Sequence, residues 1–275
     1  FTTKRKKMTI LKRLFIPILN KDIRKFSGNE EDTFYAHVDG SGVNVSSFEY
    51  NWAYILQATR KHGLVLEGKH SVIYFWIRNR HQLVVVNRLG PHTEELLRRL
   101  LEIGARWKLQ VVIKNVLPAE VLSLARVGFR LRAEPWSAYS MRDDNTYPQT
   151  VADMQANIEL KRHGIKSTSR TIIRKFLRTR NIEAVPYEKK YETEARKLLH
   201  INSQYLEEKG VENSKEVHDA HVFFFDETIK EKVRLAYVED GRLIGVGFFT
   251  ARRDVVYWNA LINRNEPKLM LFLIW

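Results

Sequence analysis

Tyr237-Val238-Glu239-Asp240-Gly241-Arg242-Leu243-Ile244-Gly245-Val246-Gly247-Phe248-Phe249 is the stretch that decides the fold. Asp-Gly between two apolar runs is a strong hairpin signal, because a two-residue type I′ turn needs positive φ at both central positions. The pattern predicts strands over 233–238 and 243–250, followed by a third over 254–262. Upstream lie a strand over 182–186, a helix over 189–209 ended by Gly210, and a short amphipathic piece over 218–232. Downstream, Asn265-Glu266-Pro267 starts another helix, since proline suits a first helical turn.

A comparable set of elements precedes this unit. A strand is expected over 34–38, and a helix over 48–61 with Trp52, Ile55 and Leu56 on one face. Strands over 71–78 and 82–88 are separated by Asn79-Arg80-His81, a hairpin-length connection. Leu96, Leu97, Leu100, Leu101 and Ile103 mark a helix with one buried face. A strand over 110–116, a helix from Pro118 to Gly128 and a strand over 129–141 complete the half. The expected class is α+β, with two tandem units, each built on a mixed central sheet, repeating one topology. The expected divisions are a basic arm over 1–32, a first unit over 33–142, a basic helical connector over 143–181, and a second unit over 182–275. The apolar stop at 267–275, without a C-cap, and the start at Phe1 lead to the expectation of a longer parent chain.

Charge is uneven. The 275 residues carry 46 Lys+Arg against 32 Asp+Glu, net +14, a balance that favours polyanionic partners. Lys161, Arg162, Lys166, Arg170, Arg174, Lys175, Arg178 and Arg180 follow one another with no acidic residue between them. On a helix over 166–180, Lys166, Arg170, Arg174 and Arg178 form one stripe, while Ile172, Ile173, Phe176 and Leu177 lie mainly elsewhere and can anchor it. Like charges at i,i+4 repel by a few tenths of a kcal/mol per pair, so the stripe is not chosen for helix stability. Arginine's planar fork suits phosphate oxygens, which makes a phosphate track the functional reading and a solvated basic face the plain one.

Other classes fall away. Without cysteine there is no disulfide scaffold, thiolate zinc site or cysteine nucleophile, and a reducing compartment is compatible. His37, His62, His70, His81 and His92 show no metal-ligand spacing, so no metal is expected. No run approaches the roughly 20 apolar residues of a spanning helix. DNA-binding signatures are missing as well.

The aromatic helix start Phe48-Glu49-Tyr50-Asn51-Trp52, the turn Asn87-Arg88-Leu89-Gly90, the connector 170–180 and the Asp240-Gly241…Gly245 hairpin together resemble the tandem GNAT-like (acyl-CoA N-acyltransferase-like) aminoacyltransferases. The resemblance is to the C-terminal domain family of phosphatidylglycerol lysyltransferase, with the Fem peptidyltransferases as distant kin. It rests on order and spacing over roughly residues 33–275. It implies transfer of an aminoacyl group from aminoacyl-tRNA, as co-substrate, to an acceptor such as a phospholipid headgroup, with no bound cofactor. The implied place is the cytoplasm, the inner face of a membrane included. Lys166, Arg170, Arg174, Lys175 and Arg178 would then contact tRNA or lipid phosphate. Tyr257 and Asn259 lie on the strand that such folds splay from its neighbour, where a backbone N–H can hold an acyl carbonyl. Asp226 and Glu227, with His221, are candidate proton acceptors, and Phe223-Phe224-Phe225 is a candidate apolar lining.

Two alternatives remain open at the level of sequence. An acyl-CoA-dependent N-acyltransferase needs a glycine-rich pyrophosphate loop after the splayed strand. The chain has Arg88-Leu89-Gly90-Pro91 and Asn263-Arg264-Asn265-Glu266-Pro267 there instead. A non-catalytic basic module would bind RNA or anionic membrane and form no product.

Overall fold

The computed structural model describes residues 16–17, 19–27, 29–42, 50–59, 63–78, 81–113, 116, 120–130, 167–211, 214–226, 229–230, 232–253, 255–266 and 269. The chain divides into two compact units, Phe1–Gln149 and Thr150–Trp275. Strand 129–141, apart from its first two residues, lies outside the described residues, as do Lys166 and Glu227.

The first unit runs β1 (Ile23–Lys25), α1 (Glu31–Gly40), α2 (Trp52–Thr59), β2 (Leu64–Glu67), β3 (Val72–Arg78), β4 (Gln82–Leu89), α3 (Thr93–Arg106), β5 (Gln110–Ile113) and α4 (Val121–Val127). The sheet order is β1-β2-β3-β4-β5. Four strands are antiparallel, and β5 joins β4 in parallel. Alternation sends Ile73, Phe75 and Ile77 of β3 to one face, where Leu96, Leu97, Leu100 and Ile103 of α3 pack with Leu124 and Val127 of α4. Tyr74 turns to the other face. There its ring lies 5.5 Å from Phe34 of α1, and Phe34 lies 5.3 Å from Trp52 of α2.

Two expectations are corrected here. Residues 34–38 are not a strand but part of α1. Phe34, Tyr35 and Val38 are all buried, and i, i+1, i+4 is a helical face. The first strand is instead β1, inside the stretch expected to be an arm, and β2 is a further strand that the pattern did not separate. With both in place, the order becomes strand, helix, helix, three antiparallel strands, helix, strand, helix. The turn after β4 fixes Gly90 at φ 99°, and a Cβ there would meet the His70 carbonyl oxygen at 2.1 Å. Only glycine fits that approach.

The second unit opens with α5 (Ser167–Thr179) and continues β6 (Ile182–Pro186), a short 3₁₀ turn (Lys189–Tyr191), α6 (Glu192–Glu208), α7 (Ser214–Asp226), β7 (Lys232–Glu239), β8 (Arg242–Arg252) and β9 (Val255–Asn263). Its sheet, expected to be mixed, is antiparallel throughout among the described residues, because consecutive strands joined by short turns pair directly, and has the order β6-β7-β8-β9. From β6 to β9 it repeats the order of the first unit from β1 to β4. Asp240 and Gly241 have φ 47° and 78°, the two positive values expected of the hairpin turn. Phe225 of α7 meets Phe248 of β8, ring centroids 5.8 Å apart, on one face. On the opposite face Ile173 of α5, 0% exposed, packs with Tyr237, Ile244, Leu261 and Leu269.

Ile173 therefore anchors α5. Ile173→Ala is expected to cost about 2–5 kcal/mol by chemical denaturation. Leu177→Ala, at a half-exposed position four residues on, should stay within about 0.5 kcal/mol. Equal effects would contradict the anchoring.

Candidate functional site

Helix α5 presents two unlike sides. Ile173 and Phe176 hold it to the second sheet. Arg174, Lys175 and Arg178 point to solvent. Among the described residues none of these three has a carboxylate partner. Arg170 is half-buried and engaged in a contact of its own.

Arg180, directly after α5, is the structural end-stop of the basic run. Its guanidinium donates to both oxygens of Glu239, Nη2 at 2.6 Å, and to both oxygens of Glu266. Arg264 donates Nη2 to Glu239 at 2.8 Å, and Nε and Nη2 to Glu266 at 3.0 and 2.8 Å. Two arginines and two glutamates thus alternate at the end of the sheet where β6, β7 and β9 meet α5. The Arg180 hydrogen bonds hold the Glu239 carboxyl below its ordinary value despite partial burial. For Glu266 burial pushes upward, yet the two guanidinium groups outweigh it and the net direction is down. Bidentate charge-assisted contacts of this kind are the stronger ones.

None of these four residues is among the site residues expected from the sequence. A signal was present. Asn87-Arg88-Leu89-Gly90-Pro91 and Asn263-Arg264-Asn265-Glu266-Pro267 share Asn-Arg-x-x-Pro at the same point of the repeated topology. Both asparagines are buried. Each arginine is neutralised by glutamate: Arg88 by Glu120 at the start of α4, and Arg264 by Glu239 and Glu266.

Strand β9 is the edge of its sheet among the described residues. Its register against β8 shifts between Phe248↔Ala260 and Phe249↔Trp258, so Asn259 is the extra residue of a bulge. The Asn259 amide donates to Thr250 Oγ1 at 3.1 Å, and Thr250 is the cross-strand partner of Tyr257. The structure thus brings Tyr257 and Asn259 together around Thr250. Tyr257 is only 2% exposed. Asp226, at the end of α7, is paired 2.9 Å from Arg196, which also holds Glu192. In the first unit β5 pairs with β4 only over 82–85, and the Arg88–Glu120 pair stands beyond the point where pairing ends.

The Nδ1 of His221 lies 3.2 Å from the buried Asn202 amide nitrogen, between α7 and α6. Burial, helped by neighbouring His218, lowers His221 to about 4, so it is neutral at ordinary pH. An open depression of about 500 Å³ in the first unit runs along Pro91–Glu95, with Arg98 and Ser123. Glu94 and Glu95 in the first turn of α3 make it a poor phosphate site. Among the described residues no group of acidic or histidine side chains could hold a metal ion, and no helix is long and apolar enough to cross a membrane.

These shifts separate two pH windows. A histidine lowered in the fold supports stability fully above its unfolded value near 6.5 and loses it as pH falls toward 4. Glu239, also lowered, keeps its contribution until pH falls below the ordinary carboxylate range. His221→Gln should therefore flatten the loss of stability between pH 6.5 and 4, measured by urea denaturation across that range. A slope equal to that of the unmodified protein would show that His221 is not the group being protonated.

No family model and no curated protein matches the sequence. Among solved structures, the chain is similar to a conserved protein of unknown function from Bacteroides thetaiotaomicron VPI-5482. That match has TM-score 0.67 and 11% identity, and covers 92% of this chain and 84% of that one. It is also similar to the C-terminal domain (DUF2156) of a proposed lysylphosphatidylglycerol synthetase from Agrobacterium fabrum. Here the TM-score is 0.54 and the identity 12%, with 90% of this chain and 73% of that one covered. Two sheets, a repeated strand–helix–helix–meander order and this breadth of overlap give the chain the fold of that DUF2156 domain.

Proposed function

We propose that the chain is an aminoacyltransferase built from two GNAT-like units, moving an aminoacyl group from aminoacyl-tRNA to a phospholipid headgroup such as that of phosphatidylglycerol. The observation that carries this reading is α5, a helix fixed by Ile173 and Arg180 that turns Arg174, Lys175 and Arg178 to solvent, with no carboxylate partner among the described residues. The likeness to a domain named for lysylphosphatidylglycerol synthesis supports the acceptor class. Lys166 and Arg170 extend the basic stripe in sequence.

The chemistry asks little of the protein. An aminoacyl ester is already activated, so positioning supplies much of the rate. The acceptor hydroxyl attacks the ester carbonyl, a new carbon–oxygen bond forms, and the bond to the tRNA ribose breaks. The hydroxyl proton passes to a base, which returns it to the leaving ribose oxygen. In this scheme a backbone N–H along the outer edge of β9, near Tyr257 and Asn259, supports the oxyanion. Asp226 or Glu227 takes the proton. Asp226 must first leave Arg196, an exposed pair that costs little to open. No resident cofactor is required.

Incubation with a mixed pool of charged tRNA and phosphatidylglycerol vesicles tests the proposal. Aminoacylated lipid should form, and Arg170→Glu/Arg174→Glu should lower kcat/KM at least about tenfold, equivalent to about 1.4 kcal/mol. Transfer unchanged by the double reversal would remove the stripe as the tRNA site. Binding of charged tRNA without product would leave a non-catalytic module, and micromolar binding of CoA would shift the assignment to an acyl-CoA-dependent enzyme.

A further inference from the structure

Four guanidinium nitrogens converge on Glu266: Nη1 and Nη2 of Arg180, and Nε and Nη2 of Arg264. Two planar forks closing on one anion is an arrangement that suits a phosphate as well as a carboxylate. Glu266 is not needed to hold α5, because Glu239 already binds Arg180 through both its oxygens. That inner pair is well covered, with side-chain exposures of 14% and 15%. The outer pair is open, at 41% for Arg264 and 33% for Glu266. Asn265, beside Glu266, sits at φ 57° in the left-handed region.

We propose that Arg180 and Arg264 form a phosphate cradle in which Glu266 is a built-in competitor, displaced when a backbone phosphate of the RNA co-substrate enters. The choice of RNA rests on the proposed function and on continuity: Arg180 follows Arg178, the last stripe arginine, by two residues, and a strand with regularly repeated phosphates can engage both. Stripe arginines four residues apart rise by about 6 Å along the helix, a spacing that serves a polymer of phosphates better than one headgroup. Loss of Glu266 leaves two arginines facing Glu239, net +1, which an entering phosphate neutralises. In the first unit the matching arginine, Arg88, pairs with Glu120.

The probes are a single-stranded RNA oligonucleotide and glycerol 3-phosphate, titrated by calorimetry into the full chain, Glu266→Gln and Arg264→Gln. Removing the competitor should tighten RNA binding about tenfold, as expected when the open state is a minor fraction of the native protein. Arg264→Gln should weaken it. In the unmodified protein, RNA should shift the Arg264 Nε–H resonance, a readout that does not depend on any variant folding. Glu266→Gln affinity equal to or below that of the unmodified protein overturns the proposal, as does an Arg264 resonance that stays fixed at saturation. Tightening for glycerol 3-phosphate but not for RNA overturns the RNA assignment in favour of a lipid headgroup. Because binding is read without turnover, a chain that binds RNA in this way and transfers nothing refutes only the transferase, whereas transfer with unaltered Glu266→Gln affinity refutes only the cradle.

Discussion

The second unit depends on the covered Arg180–Glu239 pair within the ring of charge at one end of its sheet. Arg180 is the residue at which the basic helix stops and β6 begins, and its partners come from the ends of β7 and β9. Without those carboxylates, an arginine with only 14% of its side chain exposed would be left uncompensated, a situation that strongly destabilises a fold. With them, α5 is held at its C-terminal end by charge and at its middle by Ile173. A helix so fixed can carry like charges on its outer side, because tertiary contacts rather than its own side-chain pairs keep it formed. The ring thus converts a sequence that is poor for an isolated helix into a rigid cationic surface.

The repeated topology gives the two units the same meander but different endings. After β4 the chain places Gly90 in a tight turn, and Arg88 is tied to Glu120. After β9 the same Asn-Arg-x-x-Pro frame carries Glu266 in the glycine's place and gains a second arginine from α5. The edge of β9 is bulged at Asn259, while that of β4 is partly covered by β5. The proposed binding and chemistry are therefore placed in the second unit.

Much of this architecture was legible in the sequence because it is local. Asp240-Gly241 announces its hairpin, and Leu96, Leu97, Leu100 and Ile103 announce a one-faced helix. The stripe at 170, 174 and 178 needs only helical spacing to be seen. Phe34-Tyr35-Ala36-His37-Val38 misleads because its residues favour strands, yet burial on one side of the sheet selects a helical face. The three residues of β1, Ile23-Arg24-Lys25, are too few to show a period. Of the candidate site, Tyr257 and Asn259 were read from the resemblance, and the structure places both on β9. The charge ring was not legible, because Glu239 and Glu266 lie 59 and 86 residues from Arg180, and only the folded sheet brings them together.

The central claim is that charged RNA lands on α5 and delivers its ester to the edge of β9. Hydrogen–deuterium exchange with and without aminoacyl-tRNA reads both places at once. The account predicts slowed exchange over α5 and its junction with β6, and along β9 into the Asn263–Pro267 turn, with the first sheet unchanged. Protection confined to the first unit, or none in the second at saturating aminoacyl-tRNA, would contradict it.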